Sequence, residues 1–210
     1  MNFLISGFTL SKHDLMTLNA NSWINDEVIN CWFFMLALRS CHENYPTVYA
    51  VNSYIFKQFC PKNKSLLLKR KADLCNYELV IFPIHLEMEN HWILGVCDHK
   101  QKVFALFDSL PIKNQEVFDS RKQILDKMVK FIEIDAQKNS RRFYANEYLK
   151  IEDVKENPKQ TDLYNCGLCT MKSADLLTRR VTIFYNTNPK MLHNERVTKM
   201  FELAKGVIKF

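Results

Sequence analysis

Apolar positions along this chain follow two rhythms, one of three or four residues and one of two, and the change between them falls near residue 78. From Ser22 the run SWINDEVINCWFFMLALRS predicts a helix: Asn25 is a favoured N-cap, and Asp26 and Glu27 put negative charge in its first turn. Val28, Ile29, Trp32, Phe33, Met35 and Leu36 cover most of its circumference, so this helix is expected to be buried on more than one side. Val48 to Phe59 is aromatic and mixed and reads as helix or extended chain. Lys62 to Lys71 gathers Lys62, Lys64, Lys69, Arg70 and Lys71 around Leu66, Leu67 and Leu68, a surface loop or short helix over the core.

Strand patterns follow. Glu78 to Ile84 (ELVIFPI) is β-rich, and Pro83 near its end suits a strand terminus or a sheet edge. Trp92 to Cys97 (WILGVC) and Val103 to Phe107 (VFALF) are two strands joined by the polar loop DHKQK, a hairpin. Arg121 to Ile134 is helical by period, with Ile124, Met128, Phe131 and Ile132 on one face; Glu147 to Val154 is a strand or extended run leading to Pro158. Leu168, Met171, Ala174, Leu177 and Val181 form an apolar stripe that predicts a helix from about Cys166, with Asn165 as its N-cap. Met191 to Lys209 supplies one or two closing helices.

Length and composition narrow the class. At 210 residues without a linker, repeat or low-complexity tract, the chain is expected to form one α+β domain over 1–210. The apolar run at the N-terminus is too short for a secretory signal, and no span reaches bilayer length, which excludes a membrane role and suggests an intracellular protein of the nucleus, the cytoplasm or both. Seven scattered cysteines, several in apolar surroundings (Cys31, Cys60, Cys97), fit reduced thiols better than disulfides. The net charge of +6 carries no aromatic-interleaved basic motif, so it reads as solvated surface and no nucleic acid is expected as partner.

One cysteine stands apart. At a helix start, the free amides and the positive dipole end point at the Cys166 sulfur and favour a thiolate. Gly167 beside it admits the close approach of another backbone or an extended substrate. A nucleophile there needs a base and an orienter, and the hairpin offers both. With its loop centred near His99 or Lys100, antiparallel pairing sets His91 beside Asp108, where the carboxylate can fix the imidazole tautomer. Gln160, six residues ahead of Cys166, can donate its amide to an oxyanion together with the Cys166 N–H.

These blocks resemble the SUMO-specific (sentrin-specific, Ulp-type) cysteine proteases over nearly the whole chain. SWINDEVIN is similar to the family's W-L-N-D-E-x-I-N, PIHLEMENHWILGVCD to its P-I/V-H…H-W-x-L-x-V-x-D, FALFDSL to the strand end Y-D-S-L, and QTDLYNCG to Q-x-N-G-x-D-C-G. Seventeen residues separate His91 from Asp108 and six separate Gln160 from Cys166, as in the family. The resemblance implies a papain-like fold of the Ulp type, a central mixed or antiparallel sheet flanked by helices. It implies Cys166 as nucleophile, His91 as base and acid, Asp108 as orienter and Gln160 as oxyanion donor. It also implies that Trp92, and Trp23 from the opening helix, clamp the modifier's diglycine tail, and that Asp26 meets a basic residue on the modifier. The substrate would be SUMO or a related ubiquitin-like modifier and its conjugates, handled by a monomer without cofactor.

Two departures touch the nucleophile loop: Asn165 replaces the family's Asp, and Asp162 and Leu163 replace its Asn-Gly. Losing that glycine bears on the loop conformation and on the aim of Gln160. Rival chemistries are a dithiol redox pair of Cys166 and Cys169 and a protease for a neddylation-type modifier. Cys169 reads as packing, His85 as a structural hydrogen-bonder, Trp32 as core, and His42, His85 and His99 offer no second ligand pair for a metal.

Overall fold

A computed structural model describes residues 2–5, 8–42, 44–62 and 71–206. Strands β1 (Asn2–Ile5) and β2 (Phe8–Ser11) form a two-stranded antiparallel ribbon. The central sheet runs β3-β4-β5-β6-β7, where β3 is Val48–Ala50, β4 Leu79–Leu86, β5 His91–Asp98, β6 Val103–Phe107 and β7 Leu149–Ile151. The three middle strands are antiparallel and the two outer ones pair in parallel, so the sheet is mixed and the α+β class holds. Helices α1 (Lys12–Met16), α2 (Asp26–Arg39), α3 (Ser53–Gln58), α4 (Gln115–Lys138), α5 (Cys166–Thr178) and α6 (Pro189–Lys205) flank it. Among the described residues no helix is long and apolar enough to cross a membrane.

Every residue of β5 is buried, and its side chains alternate between two cores. Trp92, Leu94 and Val96 join α2 and α5 through Ile29, Trp32 and Met171. Ile93 and Cys97 join α3 and α4 through Phe56, Met128 and Phe131. A strand covered on both faces is rigid ground for whatever stands at its ends. Gly95 lets the core close in there: a Cβ would come within 2.8 Å of Met128 Sδ and 2.9 Å of Ile84 Cδ1, so those side-chain ends would have to shift.

Helix α2 starts at Asp26 with Asn25 Oδ1 accepting from the Val28 N–H at 3.1 Å, as its sequence predicts, and Trp23 lies in the segment leading into the helix rather than within it. The unclassified stretch after Val48 splits into β3 and α3. Pro83 sits mid-strand, where the pattern placed it at a terminus or edge. Ile81 presents its carbonyl to Val51 at the end of β3, and by the two-residue alternation Pro83 turns its missing N–H to the same side, beyond the reach of β3. Its neighbourhood is an edge in all but name.

The hairpin register is shifted from the expected one by one to two residues. Leu94 faces Phe107 and Asp98 faces Val103, because Asp98 Oδ1 accepts from the N–H groups of Lys100 (3.0 Å) and Gln101 (2.9 Å), and Lys102 turns left-handed at φ 52°. Helix α5 ends at Thr178, so Val181 lies past it and is 48% exposed. Cys60 is exposed, unlike buried Cys31 and Cys97, since its segment leaves the core after Phe59. The basic stretch Lys62 to Lys71 falls largely on residues outside the described ones, as do residues 207–210.

Candidate active site

His91 opens β5 directly after Asn90, whose left-handed φ of 47° ends the short turn Glu87–Glu89 and aims the strand into the sheet. Asp108 follows the last residue of β6. The ladder between the two strands stops at Leu94 and Phe107, so the pair is not joined by cross-strand register. Side-chain reach joins it instead: His91 Nε2 lies 2.7 Å from Asp108 Oδ1, with His91 2% and Asp108 1% exposed. The Leu110 N–H donates to the same oxygen at 2.8 Å. Asn157 Nδ2 and Lys159 Nζ donate to the Asp108 carbonyl.

Helix α5 packs between α2 and β5 and brings Cys166, at its first residue, close enough to the same imidazole to help raise its pKa. With Nε2 turned to Asp108, Nδ1 is the nitrogen left to face the sulfur. Burial opposes charge on His91, but the hydrogen bond and charge of Asp108, together with the neighbouring Cys166 side chain, prevail and lift its pKa to about 9. Burial likewise opposes the Asp108 carboxylate, while His91 and Arg121 hold its pKa below the ordinary value. The three residues predicted as base, orienter and nucleophile are thus brought together.

Asn165 occupies the N-cap position of α5 but does not cap it with its side chain, contrary to expectation. Its Nδ2 donates to Asp162 Oδ2 at 2.7 Å and its Oδ1 accepts from Arg196 Nε at 2.7 Å, so the amide is spent on those partners. Gly167 serves packing rather than open approach: a Cβ there would lie 3.1 Å from Ile24 Cβ and 3.5 Å from Trp92 Cδ1. Gln160 is held at both ends of its amide. Ser109 Oγ donates to Oε1 at 2.6 Å and Nε2 donates to the Asp162 carbonyl at 2.7 Å, which leaves one of the two Nε2 hydrogens uncommitted by these bonds.

Trp92 is 5% exposed and donates its indole N–H to the Ile24 carbonyl; Trp23 is 55% exposed and donates to the Leu163 carbonyl at 2.8 Å. Both line a cavity of about 380 Å³ together with Asp26, Tyr54, Lys57 and His85. Asp26 raises the pKa of the neighbouring Tyr54, and His85 lies against Trp92 with ring centroids 4.7 Å apart and planes tilted by 42°, its pKa lowered by burial. Cys169, one turn into α5, is 1% exposed, and burial pushes its thiol up to about 12, which suits packing and not a redox partner. Trp32 is fully buried, with Lys199 Nζ 4.1 Å over its ring.

Motif reading passed over two buried arginines. Arg121, on α4, donates from Nε to Asp108 Oδ2 at 2.9 Å and forks onto Glu89 with its other two nitrogens. Arg196, on α6, reaches the loop ahead of Cys166. Each sits on a helix that reads as ordinary and amphipathic, and only an arginine on the apolar side of such a pattern hints at a buried role.

Comparison with known proteins places this arrangement. Residues 22–205 match the Ulp1 protease family, C-terminal catalytic domain. Sentrin-specific protease 2 of Rattus norvegicus is 30% identical over 205 residues, 92% of this chain and 32% of that protein. A sentrin-specific protease of Caenorhabditis elegans is 27% identical over 179 residues, 82% of this chain and 24% of that protein. The chain therefore spans about a third or less of the length of these relatives. Among solved structures, the C-terminal Ulp1 protease domain in complex with Smt3, the yeast ortholog of SUMO, superposes with a TM-score of 0.79 at 18% identity, covering 98% of this chain and 88% of that one. The Chaetomium thermophilum Ulp1-like SUMO protease catalytic domain gives 0.78 at 21%, covering 100% and 83%. Since the family match includes the segments that carry His91, Asp108 and Cys166, this chain belongs to the Ulp1 protease family and carries its C-terminal catalytic domain.

Proposed function

We propose that this chain is a thiol protease that cuts after the C-terminal diglycine of SUMO, releasing it from target lysines and trimming its precursor. The observation that carries this is one imidazole bonded to Asp108 and shifted by Cys166, in a chain of the Ulp1 family whose Trp92, the next residue after that imidazole, lines a cavity together with Trp23. His91 takes the Cys166 proton, and the sulfur attacks the carbonyl carbon of the terminal glycine. The uncommitted Gln160 N–H and the Cys166 N–H receive the oxyanion. His91 then protonates the leaving lysine amine, and water activated by the same imidazole hydrolyses the thioester. Trp23 and Trp92 close over glycines, which have no Cβ, and exclude larger residues. Asp26, at the cavity wall, meets a basic residue of the modifier. Such an enzyme works inside the cell, in the nucleus, the cytoplasm or both, and needs no cofactor.

A panel of ubiquitin-like modifiers bearing a C-terminal electrophile tests this reading. A covalent adduct of SUMO on Cys166 is expected. Trapping only by a neddylation-type modifier would replace the substrate, and no adduct with any modifier would remove the activity.

A further inference from the structure

The loop from Gln160 to Asn165 leads into the nucleophile's helix and carries the proposed oxyanion amide, and a network of charge and amide holds it. Asp162 Oδ1 accepts from the N–H groups of Tyr164 (3.0 Å) and Asn165 (2.8 Å), while its Oδ2 accepts from Asn165 Nδ2 (2.7 Å) and its carbonyl from Gln160 Nε2 (2.7 Å). One aspartate thus bonds the backbone on the approach to Cys166 and the side chain of Gln160 at once. The far end of the network is Arg196, 1% exposed on α6. Its Nε donates to Asn165 Oδ1 (2.7 Å), one terminal nitrogen to the Tyr164 carbonyl (2.8 Å), and the other to the carbonyls of Thr17 (3.2 Å) and Asn19 (3.0 Å).

All four of those acceptors are neutral oxygens, so the buried guanidinium is not paired by direct contact with a carboxylate. Its compensating charge is Asp162, one amide away through Asn165. A planar fork that meets four acceptors on two separate chain segments locks their relative position, which an ammonium cannot do. With Arg196 and Asn165 buried and four of the five guanidinium N–H groups bonded, the network has few alternative arrangements.

We propose that Arg196, Asn165 and Asp162 form a positioning relay that ties the closing helix α6 to the nucleophile loop and sets the aim of Cys166 and Gln160 together. None of the three touches substrate in this role. The inference rests on the thiol-protease reading above and deepens it. The decisive feature is that Asp162 and Asn165 are isosteric and face each other, so carboxylate and amide can exchange places. Asn165→Asp alone sets two carboxylates together; Asp162→Asn alone removes the carboxylate nearest Arg196; the double exchange restores one carboxylate and one amide, now with the charge directly on Arg196.

The test compares wild type, Asp162→Asn, Asn165→Asp, the double exchange and Arg196→Lys in cleavage of a SUMO C-terminal amide, alkylation of the Cys166 thiol by iodoacetamide, and thermal melting. Each single exchange is expected to lower kcat about tenfold with KM within about twofold, and the double exchange to return to within about threefold of wild type, the non-additivity expected of groups in one network. Arg196→Lys keeps the charge but loses the fork and is expected to lower kcat while the protein still melts cooperatively. Losses that simply multiply in the double exchange, or full kcat in Arg196→Lys, would overturn the relay. Absence of turnover in wild type would count against the protease reading alone, because the relay is then read from the alkylation rates of the same variants, where the same loss and recovery supports it and equal rates throughout overturn it.

Discussion

Arg121 and Asp108 meet in the interior, the guanidinium Nε donating to carboxylate Oδ2 across 2.9 Å with both side chains 1% exposed. The other carboxylate oxygen faces His91, so the arginine fixes the plane in which the carboxylate can address the imidazole. Glu89, bound by the other two guanidinium nitrogens, holds the arginine in turn.

Removing that brace should show in stability and in turnover. Arg121→Met keeps bulk but strands Asp108 as a buried carboxylate with one partner fewer, which is expected to cost about 3 kcal/mol, the range for breaking a buried pair from one side. Urea unfolding measures the first effect. A fall in kcat larger than the fall in folded fraction measures the second, and unchanged kcat per folded molecule would mean that Asp108 is held by His91 and Leu110 alone.

The raised pKa of His91 sets a pH dependence with a definite sign. The ring's pKa lies near 9 in the folded protein against an ordinary 6.5, so the protonated ring adds stability that is fully present below about pH 6.5 and is lost as pH rises through 9. Asp108, shifted below 3.8, adds stability above that value that is lost in acid. Because the protonated ring must deliver a proton to the leaving amine, kcat is expected to fall with an ionisation near pH 9. Asp108→Asn should move that limb down by about one unit or more, since a hydrogen-bonded anion is one of its causes. A pH profile of the variant with the limb unmoved would contradict this.

Selectivity for the tail follows from the indoles. Trp92 is held by its bond to the Ile24 carbonyl, so under the proposed clamp an added methyl next to the scissile bond is expected to clash with its indole. Substrates ending Gly-Gly and Gly-Ala should differ in kcat/KM by about a hundredfold, the scale on which shape rejects a misfit. Equal rates would discard the clamp. Trp23→Ala should narrow the gap, read from the same two substrates.

The two cysteines of NCGLC should separate cleanly. Cys166→Ser is expected to abolish cleavage while SUMO still binds, as seen by calorimetry. Cys169→Ser should retain kcat within about twofold, because a thiol raised to about 12 and packed in the core takes no part in the chemistry. Loss of activity in Cys169→Ser alone would revive the dithiol reading.

Much of the site was legible because its signals are local. Asn25 as a cap, the amphipathic start at Cys166 and the seventeen residues between His91 and Asp108 depend on spacing within one element or one hairpin. The error in register was of the same kind: Asp98 closes the turn by bonding two backbone amides, a small side-chain choice that moves every partner by a residue or more. Asn165 was misjudged because a cap preference is weak beside a buried guanidinium and a carboxylate, both of which claim its amide.

The sequence by itself determined most of the elements from residue 22 onward, the chemical types and the distance along the chain between base and orienter, since these follow from periodicity and from short-range bonds. Tertiary structure alone decided that α5 sets its first residue against the imidazole at the head of β5, and that arginines from α4 and α6 steady Asp108 and the nucleophile loop. The physical reason is that a buried charge is tolerated only where folding supplies its partners. Those partners come from positions 13 to 179 residues away, so no local pattern announces them.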